Sequence, residues 1–84
     1  MKGQTYYSGM AAQYAAEGNF EKAIELEKEG LEMWERIHGR DKLEYIFSLD
    51  QLAQYCYSNK NYLEAKRIEE DVISLLEGLN VTDP

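Results

Sequence analysis

The sequence has one proline, one cysteine and one histidine, and no long apolar run. The proline is Pro84, the last residue, so no proline breaks an interior helix. The single cysteine, Cys56, allows neither an internal disulfide nor a cysteine-rich zinc site. No apolar stretch approaches the roughly 20 residues of a membrane-spanning helix, and the first residues show no signal-peptide pattern. We therefore expect a soluble cytoplasmic protein with long, uninterrupted helices.

Basic residues are also scarce. Nine Lys and Arg face sixteen Asp and Glu, for a net charge of −7. This charge repels phosphate backbones and anionic lipid, so neither nucleic acid nor a membrane surface is expected as a partner. A chain of 84 residues makes a single domain, 1–84, with little interior to shield a catalytic pocket. No Gly-rich phosphate loop or Ser/His/Asp arrangement is present, so we expect no enzyme activity and no cofactor.

Clusters of Gly and Asn mark three tight turns, at 17–19, 38–41 and 58–61. Between the turns, apolar residues recur at the i, i+3, i+4, i+7 spacing of amphipathic helices. The pattern predicts four helices, at about 5–17, 20–38, 42–58 and 61–79.

Two of these helices carry a start signal. Asp41 followed by Glu44 has the spacing of an N-cap with its capping-box partner, and Asn61 followed by Glu64 repeats it. We expect both pairs to cap helices.

The two halves of the chain match after a shift of 42 residues, without a gap. The matched small residues would let the helices of each hairpin approach closely. We therefore predict an all-α fold of two tandem helical hairpins, about 1–42 and 43–84. The clear identical pairs are Ala11/Ala53, Asn19/Asn61, Ala23/Ala65, Glu27/Glu69 and Glu35/Glu77, and they are not the full set.

Segments 10–23 and 52–65 resemble the signature L-A-x-x-Y-x-x-x-G-x-Y/F-x-x-A of the tetratricopeptide repeat family, in its 42-residue form as in kinesin light chains. Two positions of the second segment depart from it: Cys56 replaces a tyrosine, and Lys60 replaces the turn glycine. The resemblance implies a right-handed stack of hairpins whose first helices line a concave groove. Such a scaffold binds a protein or peptide.

The resemblance also implies which residues line the groove. The Lys, Arg and Asn residues with which some members grip a terminal carboxylate are absent at these positions. Asp50 and Gln51 lie where light-chain-like repeats often carry paired asparagines. The expected groove residues are Thr5, Ser8, Ala12 and Ala15 on the first helix and Phe47, Asp50, Gln51, Gln54 and Tyr57 on the third.

A second hypothesis is self-assembly. No polar capping helix follows the fourth predicted helix, and repeat arrays usually need one. An apolar stripe on that helix would then be left partly exposed, which favours a homo-oligomer, most simply a two-fold dimer. The stripe consists of Val72, Leu75, Leu76 and Leu79.

A metal site is the weakest alternative. Glu35 and His38 have the E-x-x-H spacing of di-iron helical bundles, which need two such motifs. The second half offers Glu77 and Asn80 at these places, so we expect no metal. We also expect Cys56 to be a core thiol, because a nucleophile needs a nearby base.

Overall fold

The structure is a computed structural model that describes residues 4–40 and 42–80, with the side chains of 6–40 and 42–79. It contains four helices, and no strand occurs in these two ranges. The helices are α1 (Gln4–Ala16), α2 (Phe20–His38), α3 (Leu43–Ser58) and α4 (Tyr62–Asn80). All eight helix ends lie within one residue of the predicted ends, and the all-α fold is confirmed.

The helices form two hairpins. α1 packs on α2, α3 packs on α4, and the hairpins meet where α2 lies against α3. Four alanines at the two hairpin crossings have no exposed surface, so the helices approach closely there, as the repeat predicts. They are Ala11, Ala23, Ala53 and Ala65.

Both hairpins turn with the same backbone hydrogen bonds. The amide of Asn19 donates to the carbonyl of Tyr14 at 2.8 Å, and 42 residues later the amide of Asn61 donates to that of Cys56 at 2.7 Å. These six-to-one bonds are typical of a helix that ends in a left-handed residue. The sequence repeat is therefore also a repeat of backbone geometry.

The left-handed residue differs between the turns. Gly18 has φ 83° in the first turn, and Lys60 has φ 65° in the second. A side chain in this conformation crowds the backbone and costs roughly 1–2 kcal/mol. The second turn thus keeps the shape of the first under strain.

The predicted cap of α3 is not the one found. The residue before the helix is Lys42, whose side chain makes no capping hydrogen bond. Asp41 lies outside the described residues. α2, in contrast, has a side-chain cap, since Asn19 Oδ1 accepts from the backbone amide of Lys22 at 3.3 Å.

The capping box predicted for α4 does not form. Both carboxylate oxygens of Glu64 have other contacts: Oε2 lies 3.0 Å from Lys28 Nζ and Oε1 lies 3.8 Å from Cys56 Sγ. The side-chain oxygen of Asn61 accepts from Asn59 Nδ2 instead. Glu64 therefore links the second hairpin to the first, an attraction between distant segments that local spacing does not reveal.

Candidate protein-binding surface

One face of α3 carries most of the expected groove residues. Phe47 is 64 % exposed, Gln54 is exposed, and Asp50 and Gln51 are half-buried. Their spacing of three, four and seven residues places them on a single side of the helix. Gln54 Nε2 donates to Asp50 Oδ2 at 3.1 Å, which holds these two side chains together. The face thus presents an open aromatic ring beside a carboxylate and amide pair.

The expected contribution of α1 is smaller. Ala12 is exposed and Ala15 packs against the core. Ser8 is half-buried, and its hydroxyl donates to Glu27 Oε2 at 3.2 Å, so it points toward the interior. The side chain of Thr5 lies outside the described residues. The exposed aromatic ring and the carboxylate and amide pair of this face therefore all come from α3.

Tyr57 is 42 % exposed but is held by α4. Its hydroxyl donates to Glu69 Oε1 at 2.8 Å, and its ring centre lies 6.1 Å from that of Tyr62. The hydrogen bond to the carboxylate, together with its negative charge, raises the pKa of Tyr57. Tyr57 thus covers the start of α4 as well as facing solvent.

A buried carboxylate lies where the hairpins meet. Glu27 is 1 % exposed, and burial raises the pKa of its carboxyl, while hydrogen bonds from Ser8 and Ser48 partly offset that effect. The Ser8 hydroxyl donates to Oε2, whereas the buried Oε1 accepts no hydrogen bond of normal length and angle within the described part of the chain. Burial also raises the pKa of Tyr55, and the charge of Glu27 adds to this. One acidic side chain therefore connects α1, α2 and α3.

Sequence reasoning missed the burial of Glu27. A signal was present, because Glu27 and Glu69 are among the few identical residues at the 42-residue shift. An acidic residue retained in both copies fits a shared contact better than a freely solvated position. Glu69 is half-buried and accepts from Tyr57, so both copies do pair the carboxylate with a hydroxyl.

Comparison with known families agrees with this geometry. A family model described as tetratricopeptide repeat matches residues 3–78. The chain belongs to the tetratricopeptide repeat family. Searches of curated proteins and of solved structures gave no match. Tetratricopeptide repeats generally mediate protein–protein interaction and are typically not catalytic.

The stripe expected to drive self-association of this tetratricopeptide chain is mostly covered. Val72 is 9 % exposed and belongs to the core, and Leu75 and Leu79 pack against that core. Leu76 is 39 % exposed and Ile73 is 57 % exposed. Toward its end, α4 therefore exposes Ile73 and Leu76 to solvent, while Val72 stabilises the hairpin itself.

The E-x-x-H residues of this repeat contact other groups. Glu35 Oε2 lies 3.3 Å from Arg40 Nε, and the ring of His38 lies 4.2 Å from that of Trp34. Among the described residues, no group of three His, Cys, Asp or Glu side chains is arranged to hold a metal ion. None of the helices in this part of the chain is long and apolar enough to cross a membrane.

Cys56 lies inside the repeat. The side chain has no exposed surface. Burial, with the nearby carboxylate of Glu64 adding to it, raises the pKa of the thiol to about 11. At neutral pH the thiol is therefore protonated and unreactive, as a core residue should be.

Proposed function

We propose that this tetratricopeptide chain binds an extended segment of a partner protein along the α1 and α3 face, without catalysis. The observation that carries the proposal is Phe47, which is 64 % exposed on the same side of α3 as the hydrogen-bonded pair Asp50 and Gln54. An aromatic ring contributes a large contact area with few rotatable bonds, which suits a binding hot spot. The adjacent polar pair supplies hydrogen bonds to a peptide backbone.

The charge of the chain indicates the kind of segment. A net charge of −7 attracts basic partners and speeds their encounter. Asp50 places one of these charges beside Phe47 on the face itself. We propose a peptide that carries an apolar side chain for Phe47 and a Lys or Arg for Asp50.

A likeness to the light-chain type of repeat supports this mode of binding. The two turns repeat at 42 residues, which is the period of that type. Asp50 and Gln51 lie at the places where such repeats often carry paired asparagines. Gln54 adds a side-chain amide one turn further along α3. This amide can form the hydrogen bonds to an extended peptide backbone that Asp50, which has no amide, cannot donate.

Selection of peptides from a random display library against the wild-type protein tests the proposal. Selected peptides should be rich in Lys or Arg next to an apolar residue. Phe47→Ala should weaken their binding by about 30-fold, the effect of losing a hot spot worth about 2 kcal/mol. Phe47→Ala with Gln54→Ala should weaken it further, with helicity unchanged by circular dichroism.

Leu63→Ala is the matched control. Leu63 is 67 % exposed but lies on α4, away from the proposed face. Its loss should leave the affinity unchanged. If the double variant on α3 binds as tightly as the wild type, the peptide contacts another surface and the proposal is wrong.

A further inference from the structure

The two hairpins differ on one face of their second helices. On α2, Ile24 is 8 % exposed and Leu31 is 5 % exposed. At the corresponding positions on α4, 42 residues later, Lys66 is exposed and Ile73 is 57 % exposed. The same side of the helix is therefore buried in the first hairpin and open in the second.

The third helix accounts for this difference. On both second helices, the positions that face the first helix of the same hairpin are buried. Ala23 and Ala65 are one such pair, and Gly30 and Val72 are another. The positions that differ lie where α3 packs on α2, and the described helices include none that packs on α4 in the same way. We define the outer face of α4 as Lys66, Glu69, Ile73 and Leu76.

We propose that a second copy of this chain covers the outer face of α4 with its α1, repeating between chains the contact that α3 makes with α2 within one chain. The contact is head-to-tail: it joins two different surfaces of the same protein. It goes beyond peptide binding by the α1 and α3 face and does not depend on it.

The polar groups on the two surfaces fit each other. Within the chain, Ser48 and Tyr55 of α3 lie beside the carboxylate of Glu27. Their counterparts on α1 are Tyr6, which is 41 % exposed, and Gln13, which is exposed. Both side chains carry hydrogen-bond donors. In a second copy they would meet Glu69, the counterpart of Glu27.

An ion pair is also available across the contact, with its charges exchanged. Within the chain, Lys28 Nζ of α2 lies 3.0 Å from Glu64 Oε2 of α4. The counterpart of Lys28 is Glu70, and the counterpart of Glu64 is Lys22. Glu70 of one copy would therefore face Lys22 of the next. Complementary charge at both positions favours a second copy as the occupant.

Charge also selects head-to-tail stacking over a two-fold pairing of α4. Helix α4 has five acidic and two basic residues, so two copies of it would repel each other. Helix α1 has no charged residue at all. It can approach the acidic α4 without repulsion, so the expected two-fold dimer is the less favourable arrangement.

Sedimentation equilibrium at about 10 µM and about 1 mM tests the proposal, because small interfaces are weak. The average mass of the wild type should rise above 9.8 kDa with concentration, without stopping at two chains, since a head-to-tail contact leaves each end open. Ile73→Glu on α4 and Gln13→Glu on α1 should each stay at 9.8 kDa, because every contact then includes one altered surface. Both positions are exposed, so both variants should keep wild-type helicity.

Mixing these two variants gives the decisive result. The Ile73→Glu chain keeps an intact α1, and the Gln13→Glu chain keeps an intact α4, so one contact can form between them. The mixture should reach twice the mass of one chain and no more. Leu63→Glu is the control and should associate as the wild type does, because its counterpart Glu21 is exposed even though α3 covers α2.

Two outcomes would overturn the proposal. A wild-type mass of 9.8 kDa at both concentrations would show that the outer face of α4 does not bind a second copy. A dimer that Ile73→Glu abolishes and Gln13→Glu leaves intact would show pairing of α4 with α4. Neither outcome bears on peptide binding, which is measured separately with the Phe47 variants.

Discussion

Tyr7 of α1 lies directly against the backbone of α2 at Gly30. A Cβ added to Gly30 would lie 2.8 Å from the Cβ of Tyr7, closer than such atoms pack. At the corresponding positions of the second hairpin are Leu49 and Val72, both buried. One hairpin thus combines a large side chain with none, and the other combines two of medium size.

Gly30→Ala should lower the free energy of unfolding by about 1 kcal/mol or more. The new methyl group meets the rigid Cβ of Tyr7, and overpacking of this kind costs about 1–3 kcal/mol, more than alanine gains in helix propensity. Gly9→Ala and Gly78→Ala are the controls. Both would place the methyl group in open space, so each should stabilise the protein by up to about 1 kcal/mol. Urea denaturation measures all three, and a stabilising Gly30→Ala would contradict the close contact.

Lys60→Gly should stabilise the protein by about 0.5–1 kcal/mol. Glycine adopts the left-handed φ of 65° without strain, and this gain exceeds the entropy that glycine loses on folding. The reciprocal change, Gly18→Ala, should destabilise by about 1 kcal/mol through the backbone alone, because no atom lies within 4 Å of the added Cβ. The two thermal midpoints should move in opposite directions. A shared direction would mean that the turns differ in shape.

Glu27→Gln should stabilise the protein at pH 8 more than at low pH. Burial raises the pKa of Glu27 above its ordinary 4.5. The folded state therefore binds this proton more tightly than the unfolded state, and the free energy of unfolding falls as the pH rises from 4.5 through the folded-state pKa. Below that window Glu27 is neutral in both states, and the difference from glutamine should shrink.

Chemical denaturation of wild type and Glu27→Gln across pH 4–8 measures this effect. For each unit by which the pKa of Glu27 is higher in the folded than in the unfolded state, the free energy of unfolding of the wild type at high pH falls by about 1.4 kcal/mol. Glu21→Gln, at an exposed position, controls for the loss of one negative charge. A stability difference that stays constant over the whole pH range would show that Glu27 is solvated in the folded protein.

Leu52→Ala should destabilise the protein by about 2–5 kcal/mol. Leu52 is 4 % exposed within the core, and its removal leaves a cavity that a domain of this size cannot refill. The cooperative thermal transition should be lost, or its midpoint temperature should fall by many degrees. A shift of only a degree or two would place Leu52 outside the core.

Helix positions and the alanine contacts were predictable because they depend on local periodicity. An apolar residue at every third or fourth position identifies the buried side of a helix, whatever the helix packs against. The burial of Glu27 was not predictable in this way, because it depends on α3, which covers α2 but has no counterpart over α4 in the described residues. Periodicity likewise placed Val72 on an open stripe, although it is 9 % exposed and faces α3 within its own hairpin.

The exposure of the expected groove residues was predictable only in part, and their role in binding stays a prediction. Phe47 and Gln54 are exposed as the resemblance implies. Ser8 and Tyr57 form hydrogen bonds to carboxylates on the second helices, which fixes their hydroxyls within the fold. Such bonds link residues 12 and 19 positions apart. Spacing within one helix does not reveal them.

The burial of Cys56 beside Glu64 means that alkylation of its thiol measures how often the second hairpin opens. The thiol is inaccessible and protonated in the closed hairpin, so an alkylating reagent can reach it only when α3 and α4 separate. Because it is the single cysteine of the chain, the rate of modification reports one event, without an introduced label. Its dependence on denaturant would distinguish a local separation of this hairpin from unfolding of the whole chain.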